Sequence, residues 1–121
     1  MLDFNNILSA SCTLTIRQLV SKKSALQLAS EVLAVKFPGL DTRLLFNHLM
    51  DREDLGSTGL GEGVAIPHCR MAEFDHIAGV FLKFNTPIEF ESPDDMPIDL
   101  MFVLVVPDTA EASHLEIHFD L

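Results

Sequence analysis

At 121 residues the chain is the size of one domain, since domains commonly run roughly 100–150 residues. An apolar share of 48%, with nine phenylalanines and neither tryptophan nor tyrosine, provides for a packed core and excludes a disordered chain. The formal net charge of −10 excludes binding to nucleic acid or an anionic membrane through bulk electrostatics, and it makes any phosphate-handling site depend on a local positive island, which draws attention to Arg52 and Arg70.

The chain opens with a lead-in over residues 1–20, in which β-branched Cys12-Thr13-Leu14-Thr15-Ile16 alternates like a short strand. The N-terminus has no basic segment followed by an apolar one, so no signal peptide is expected and the compartment predicted is the cytoplasm. From Lys22 to Phe37, Ala25, Leu28, Ala29, Val32, Leu33 and Phe37 recur at three and four, which predicts an amphipathic helix capped by Ser21 or Ser24. Ser24 and Gln27 also fit a capping box, and Pro38-Gly39 stops the helix. Asp41 is placed to cap a second helix running to about Arg52, with Leu44, Leu45, His48 and Leu49 on its inner side and His48 partly buried.

After the segment treated below, Arg70 to His76 reads as a polar link, with His76 at the surface, and Ala78 to Phe84 as a strand. A turn leads to Thr86-Pro87-Ile88, then to an acidic loop from Glu89 to Asp95 whose charge is expected to be solvated rather than to hold a cation. Asp99 to Val106 is almost wholly apolar, as a central strand covered on both faces would be. Its apolar run of seven residues is far short of the ~20 that a membrane span needs. Pro107-Asp108-Thr109 ends it and starts a last helix carrying His114 and His118, four apart on one face. As a metal pair these two lack an acidic third ligand in register, so no metal is expected. Cys12 and Cys69 lack Cys-x-x-Cys spacing and read as free thiols, although Cys69 beside His68 raises the idea of redox sensitivity at that point.

One stretch stands apart: Gly56-Ser57-Thr58-Gly59-Leu60-Gly61-Glu62-Gly63-Val64-Ala65-Ile66-Pro67-His68. Four glycines within eight residues, with Ser57 and Thr58 among them, can turn several N–H groups and two hydroxyls toward an anion. Val64-Ala65-Ile66 reads as a strand, Pro67 ends it, and His68 follows at its edge. No Gly-Lys-Ser/Thr follows, so this is not a nucleotide P-loop, and the glycines precede a strand rather than opening a helix, so it is not a dinucleotide fingerprint. A phosphate cradle beside an imidazole points to phosphoryl chemistry on that imidazole.

Arg52-Glu53, Leu55-Gly56-Ser57-Thr58-Gly59-Leu60-Gly61 and Val64-Ala65-Ile66-Pro67-His68 together resemble the phosphorylation-site signature of the enzyme IIA domains of the bacterial phosphotransferase system, fructose/mannitol type, nearest to their nitrogen-regulatory branch. The likeness runs from about Ile7 to about Leu115, through Val20-Ser21-Lys22-Lys23, Thr86-Pro87-Ile88 and Asp99-Leu100. It implies a single α/β domain over residues 1–121, with a small mixed sheet flanked by helices on both faces. It implies that His68 accepts a phosphoryl group from a histidine-containing phosphocarrier protein, that Arg52 clamps the phosphoryl oxygens, and that His114 lies beside His68. Ser57, Thr58 and Gly59 would add hydrogen bonds to the phosphoryl group, and no cofactor is needed. Partners would read the bare or modified state, as regulated targets do. Two other functions fit the same residues: a sugar-specific enzyme IIA passing phosphate to a IIB domain, and an interaction module without turnover. Members of that family continue where this chain reads His118-Phe119-Asp120-Leu121, which predicts apolar surface buried by self-association.

Overall fold

The structure, a computed structural model, describes residues 12–72, 74 and 77–108. The expected last helix with His114 and His118, and also His76, lie outside the described residues.

Strand β1 (Cys12–Ile16) is followed by helix α1 (Lys22–Lys36), where Ser21 is the cap and its hydroxyl accepts from Ser24 N–H at 3.1 Å. Ser24 is thus three residues inside the cap, and Gln27, rather than closing a capping box, donates to Glu31 one turn on at 3.1 Å. Helix α2 (Thr42–Leu55) is capped by Asp41, whose carboxylate accepts from Leu44 N–H at 2.9 Å. Its buried line is Leu45, Leu49 and Glu53, spaced by four, which rotates the inner face by one residue from the expected stripe. His48 is accordingly exposed rather than partly buried, and so is Leu44.

The remaining described elements are strands: β2 (Gly59–Gly61), β3 (Val64–Ala65), β4 (His68–Met71), β5 (Ala78–Ile88) and β6 (Ile98–Pro107). They join β1 in a six-stranded sheet of order β1-β5-β6-β3-β2, with β4 also on β6. The sheet is mixed: β1 runs parallel to β5, β5 antiparallel to β6, and β3 and β4 both parallel to β6. β3 aligns Val64 with Leu100 and β4 aligns His68 with Leu104, so the two are one line of chain interrupted at Ile66-Pro67. Proline has no N–H for the ladder, which breaks pairing there. Its carbonyl still accepts from Leu104 N–H at 2.9 Å, and the chain rejoins the sheet at once. The polar link expected from Arg70 therefore starts later, because Arg70 and Met71 belong to β4.

α1 and α2 pack on one face of the sheet, where Leu26, Leu33, Leu45 and Leu49 meet Val80, Leu82, Met101, Val103 and Val105. Each such side chain contributes about 1.5–3 kcal/mol over its exposed state. The opposite face carries Ile66, Phe102, Leu104 and Val106, also buried, with Phe81 stacked on Phe102 at a ring separation of 4.2 Å. Among the described residues no helix is long and apolar enough to cross a membrane.

Candidate functional site

The site is built where the C-terminus of α2 approaches β4. Helix periodicity turns Glu53 into the protein and leaves Arg52, its neighbour, half-buried at the surface. Arg52 donates from Nη1 to the Gly56 carbonyl at 2.9 Å, a placement that also suits a cation at a helix C-terminus. Strand alternation does the same for β4: Cys69 and Met71 are buried in the core, whereas His68 is half-buried and Arg70 exposed. Arg52, His68 and Arg70 line one cleft of about 630 Å³, together with His48, Asp51, Leu55 and Asp108. Both arginines singled out on charge grounds thus reach the same cleft as His68. Leu55, 86% exposed, forms an apolar lip on it.

His68 Nδ1 lies 2.9 Å from the Ile66 carbonyl oxygen. A carbonyl only accepts, so Nδ1 carries a proton and donates; in the neutral ring that leaves the lone pair on Nε2.

The glycine loop is tied to the protein itself. Ser57 Oγ donates to the Phe90 carbonyl at 2.8 Å and accepts from Gly59 N–H at 3.1 Å. Thr58 is buried; its N–H donates to Glu53 Oε1 at 3.2 Å and its hydroxyl to Glu53 Oε2. These donors of Ser57, Thr58 and Gly59 therefore already have acceptors, and none of the three residues lines the cleft. Glu53 is completed by Lys22 Nζ at 3.0 Å, whose ammonium also lies 4.3 Å from the centre of the buried Phe90 ring. The sequence stretches that carry the resemblance include Lys22 and Glu53, but composition and spacing give no sign that an acidic residue in the last turn of a helix would face inward.

Two neighbouring features are settled by burial and hydrogen bonding. Desolvation pushes the Cys69 thiol up to about 12, so it is protonated and unreactive at neutral pH, which removes the idea of redox sensitivity at that residue. In the acidic loop, Asp94 accepts from the N–H groups of Glu62 at 2.8 Å and Met96 at 3.1 Å, so its charge fastens the β2–β3 turn. Among the described residues no group of three or more His, Cys, Asp or Glu is placed to hold a metal ion. His114 lies outside the described residues.

The family model for the phosphoenolpyruvate-dependent sugar phosphotransferase system, EIIA 2, matches residues 6–121. The chain belongs to that family. As an EIIA 2 domain it is a phosphotransfer component of that system. It is 42% identical over 115 residues to a nitrogen regulatory protein of Klebsiella oxytoca, covering 94% of this chain and 70% of that one. Its fold is similar to that of the nitrogen regulatory protein IIA-Ntr from Neisseria meningitidis, with a TM-score of 0.80 and 39% identity over 93% of this chain and 77% of the other. It is also similar to IIA mannitol from Escherichia coli, with a TM-score of 0.64 and 25% identity over 84% and 72% of the two chains. The single domain and mixed sheet of this EIIA 2 member are those the sequence implies; the expected placing of helices on both faces is not, because both helices among the described residues pack on the same face.

Proposed function

We propose that this EIIA 2 domain is a phosphocarrier of the nitrogen-regulatory type, phosphorylated on His68 by a histidine-phosphorylated carrier protein. The observation that carries the reading is the meeting of His68, with its Nδ1 proton on the Ile66 carbonyl, and Arg52 in one cleft. The Nε2 lone pair attacks the phosphorus of the donor's phosphoimidazole. The new P–Nε2 bond forms as the donor's P–N bond breaks, and that bond's electron pair returns to the donor's ring. His68 becomes a phosphoimidazolium whose Nδ1–H stays on Ile66, so no proton leaves the site. The transition state is loose, so positioning and charge stabilisation supply the catalysis. Arg52 offers a planar fork of donors to the phosphoryl oxygens, and Arg70 adds a second positive charge. His114 beside His68 belongs to the same proposal. The internal bonding of Ser57, Thr58 and Gly59 favours a supporting role for them over a direct hold on phosphate.

Modification adds about −1.5 to −2 charges at neutral pH. On a surface already strongly acidic this changes which face a partner prefers, a physical basis for regulated targets that distinguish the two states. The greater likeness to nitrogen-regulatory relatives favours this over onward transfer to a sugar transporter's IIB domain.

The test is incubation with the phosphorylated carrier, followed by intact-mass and acid-lability measurements. The wild type gains one acid-labile phosphoryl group and His68→Ala gains none. Phosphorylation of His68→Ala at another residue would reject the assignment, and rapid transfer from His68 to a IIB domain would move the protein to the sugar-specific class.

A further inference from the structure

We infer that Glu53 and Thr58 are positioning residues for His68, acting through an unbroken run of hydrogen bonds that ends on the imidazole; this rests on the phosphocarrier reading above. The run begins at a carboxylate in an unfavourable place. Glu53 sits in the last turn of α2, where the helix dipole favours cations, and its side chain is only 2% exposed. A buried carboxylate is tolerated when its oxygens are met by donors. Three meet this one: Lys22 Nζ at 3.0 Å, Thr58 N–H at 3.2 Å and the Thr58 hydroxyl.

The consequence appears on the other side of Thr58. Its carbonyl accepts from Ile66 N–H at 3.1 Å, and the Ile66 carbonyl accepts from His68 Nδ1 at 2.9 Å. The next residue, Pro67, has no N–H and offers the ladder its carbonyl alone, which accepts from Leu104 N–H. On its other side Ile66 is held by Thr58, and Thr58 by Glu53. The carboxylate thus sets which way the Ile66 carbonyl points, and so which nitrogen of His68 carries the proton. Arg52 is governed from the same turn, because Gly56 N–H donates to the Glu53 carbonyl at 3.0 Å while the Gly56 carbonyl receives Arg52.

The experiment compares wild type, Thr58→Val, Thr58→Ser and Glu53→Gln by two readouts. The first is the ring ¹⁵N spectrum of His68, which reports the tautomer without any phosphoryl donor. The second is single-turnover transfer from the phosphorylated carrier, with carrier affinity measured separately. The wild type shows the Nδ1–H tautomer. Thr58→Val, which removes only the hydroxyl donor, gives a tautomer mixture and transfer slowed by roughly 10–100-fold at unchanged affinity, the scale that small misplacements of reacting groups produce. Thr58→Ser restores the single tautomer and most of the rate. Should Thr58→Val not fold, Glu53→Gln carries the same expectation. A pure Nδ1–H tautomer with wild-type transfer in the folded variant overturns the inference. Absence of phosphorylation on His68 in the wild type instead defeats the phosphocarrier reading, and the tautomer comparison still decides this one.

Discussion

The glycine segment is fastened at both ends by a carboxylate, and the two fastenings differ in kind. At its start, Glu53 is buried and holds Thr58 by backbone and hydroxyl with Lys22 as counter-charge. At its far turn, Asp94 is solvent-exposed and holds the N–H groups of Glu62 and Met96. In that turn Gly61, Glu62 and Gly63 all have positive φ, so local backbone preference already shapes it. The contrast teaches that similar hydrogen bonds carry different weight: where water is excluded the donors have no substitute partner, and at the surface water replaces whatever is lost.

Removing the buried fastening is the strongest way to test this. Glu53→Ala strands the part-buried Lys22 ammonium and two Thr58 donors, and loss of one partner of a fully buried pair costs about 3–5 kcal/mol. Lys22 is partly exposed and can turn toward water, so the lower end, about 3 kcal/mol, is expected in urea denaturation. A loss below about 1 kcal/mol would mean that the two carboxylates are equivalent after all. The outward neighbour sharpens the point. Arg52→Ala loses one surface hydrogen bond, so stability stays within about 1 kcal/mol. Phosphoryl transfer falls by about 100-fold, the scale of a lost donor to transition-state charge. Wild-type transfer by this variant would remove the clamp.

The loop between the two anchors is probed by size. A Cβ on Gly59 would lie 2.5 Å from Ser92 Oγ and 3.0 Å from its Cβ. Gly59→Ala is therefore expected to cost about 1–3 kcal/mol by overpacking. Ser92 Oγ is buried with no hydrogen-bond partner among the described residues, so Ser92→Ala alone is neutral or slightly stabilising and recovers part of the Gly59→Ala loss. Additive losses in the double variant would show that the two sites do not touch.

Much of this was legible before any coordinates, and the reasons are specific. The cap at Asp41, the helix stop at Pro38-Gly39 and the apolar run of β6 are local signals, each fixed by a few adjacent residues. The cleft was foreshadowed by charge, because an acidic chain that handles phosphate has few cations to use and Arg52 and Arg70 flank the glycine stretch. What stayed hidden is non-local. The face of α2 is decided by packing on the sheet, and Leu44 against Glu53 cannot be ranked by hydropathy when a buried carboxylate finds donors in Lys22 and Thr58. The same applies to Ser57 and Thr58: a hydroxyl in a glycine loop looks available to a ligand until Phe90, more than thirty residues away, supplies the acceptor. β4 escaped notice because Pro67 breaks the pattern that would have joined it to β3.

The smallest expected effect belongs to the exposed anchor. Hydrogen bonds from Glu62 and then Met96 hold the Asp94 carboxyl below its ordinary 3.8. A carboxyl depressed on folding adds stability at pH above that ordinary value, and the contribution drains away as pH falls through the lower folded value. In an NMR titration the amides of Glu62 and Met96 should therefore move together with a midpoint below 3.8, and Asp94→Ala should abolish that shared movement. The thermal midpoint of Asp94→Ala at neutral pH should fall less than that of any destabilised variant above, because the freed amides face water and the glycines still favour the turn. A drop matching Glu53→Ala would mean that the β2–β3 turn is held from outside by charge rather than from within by its own backbone.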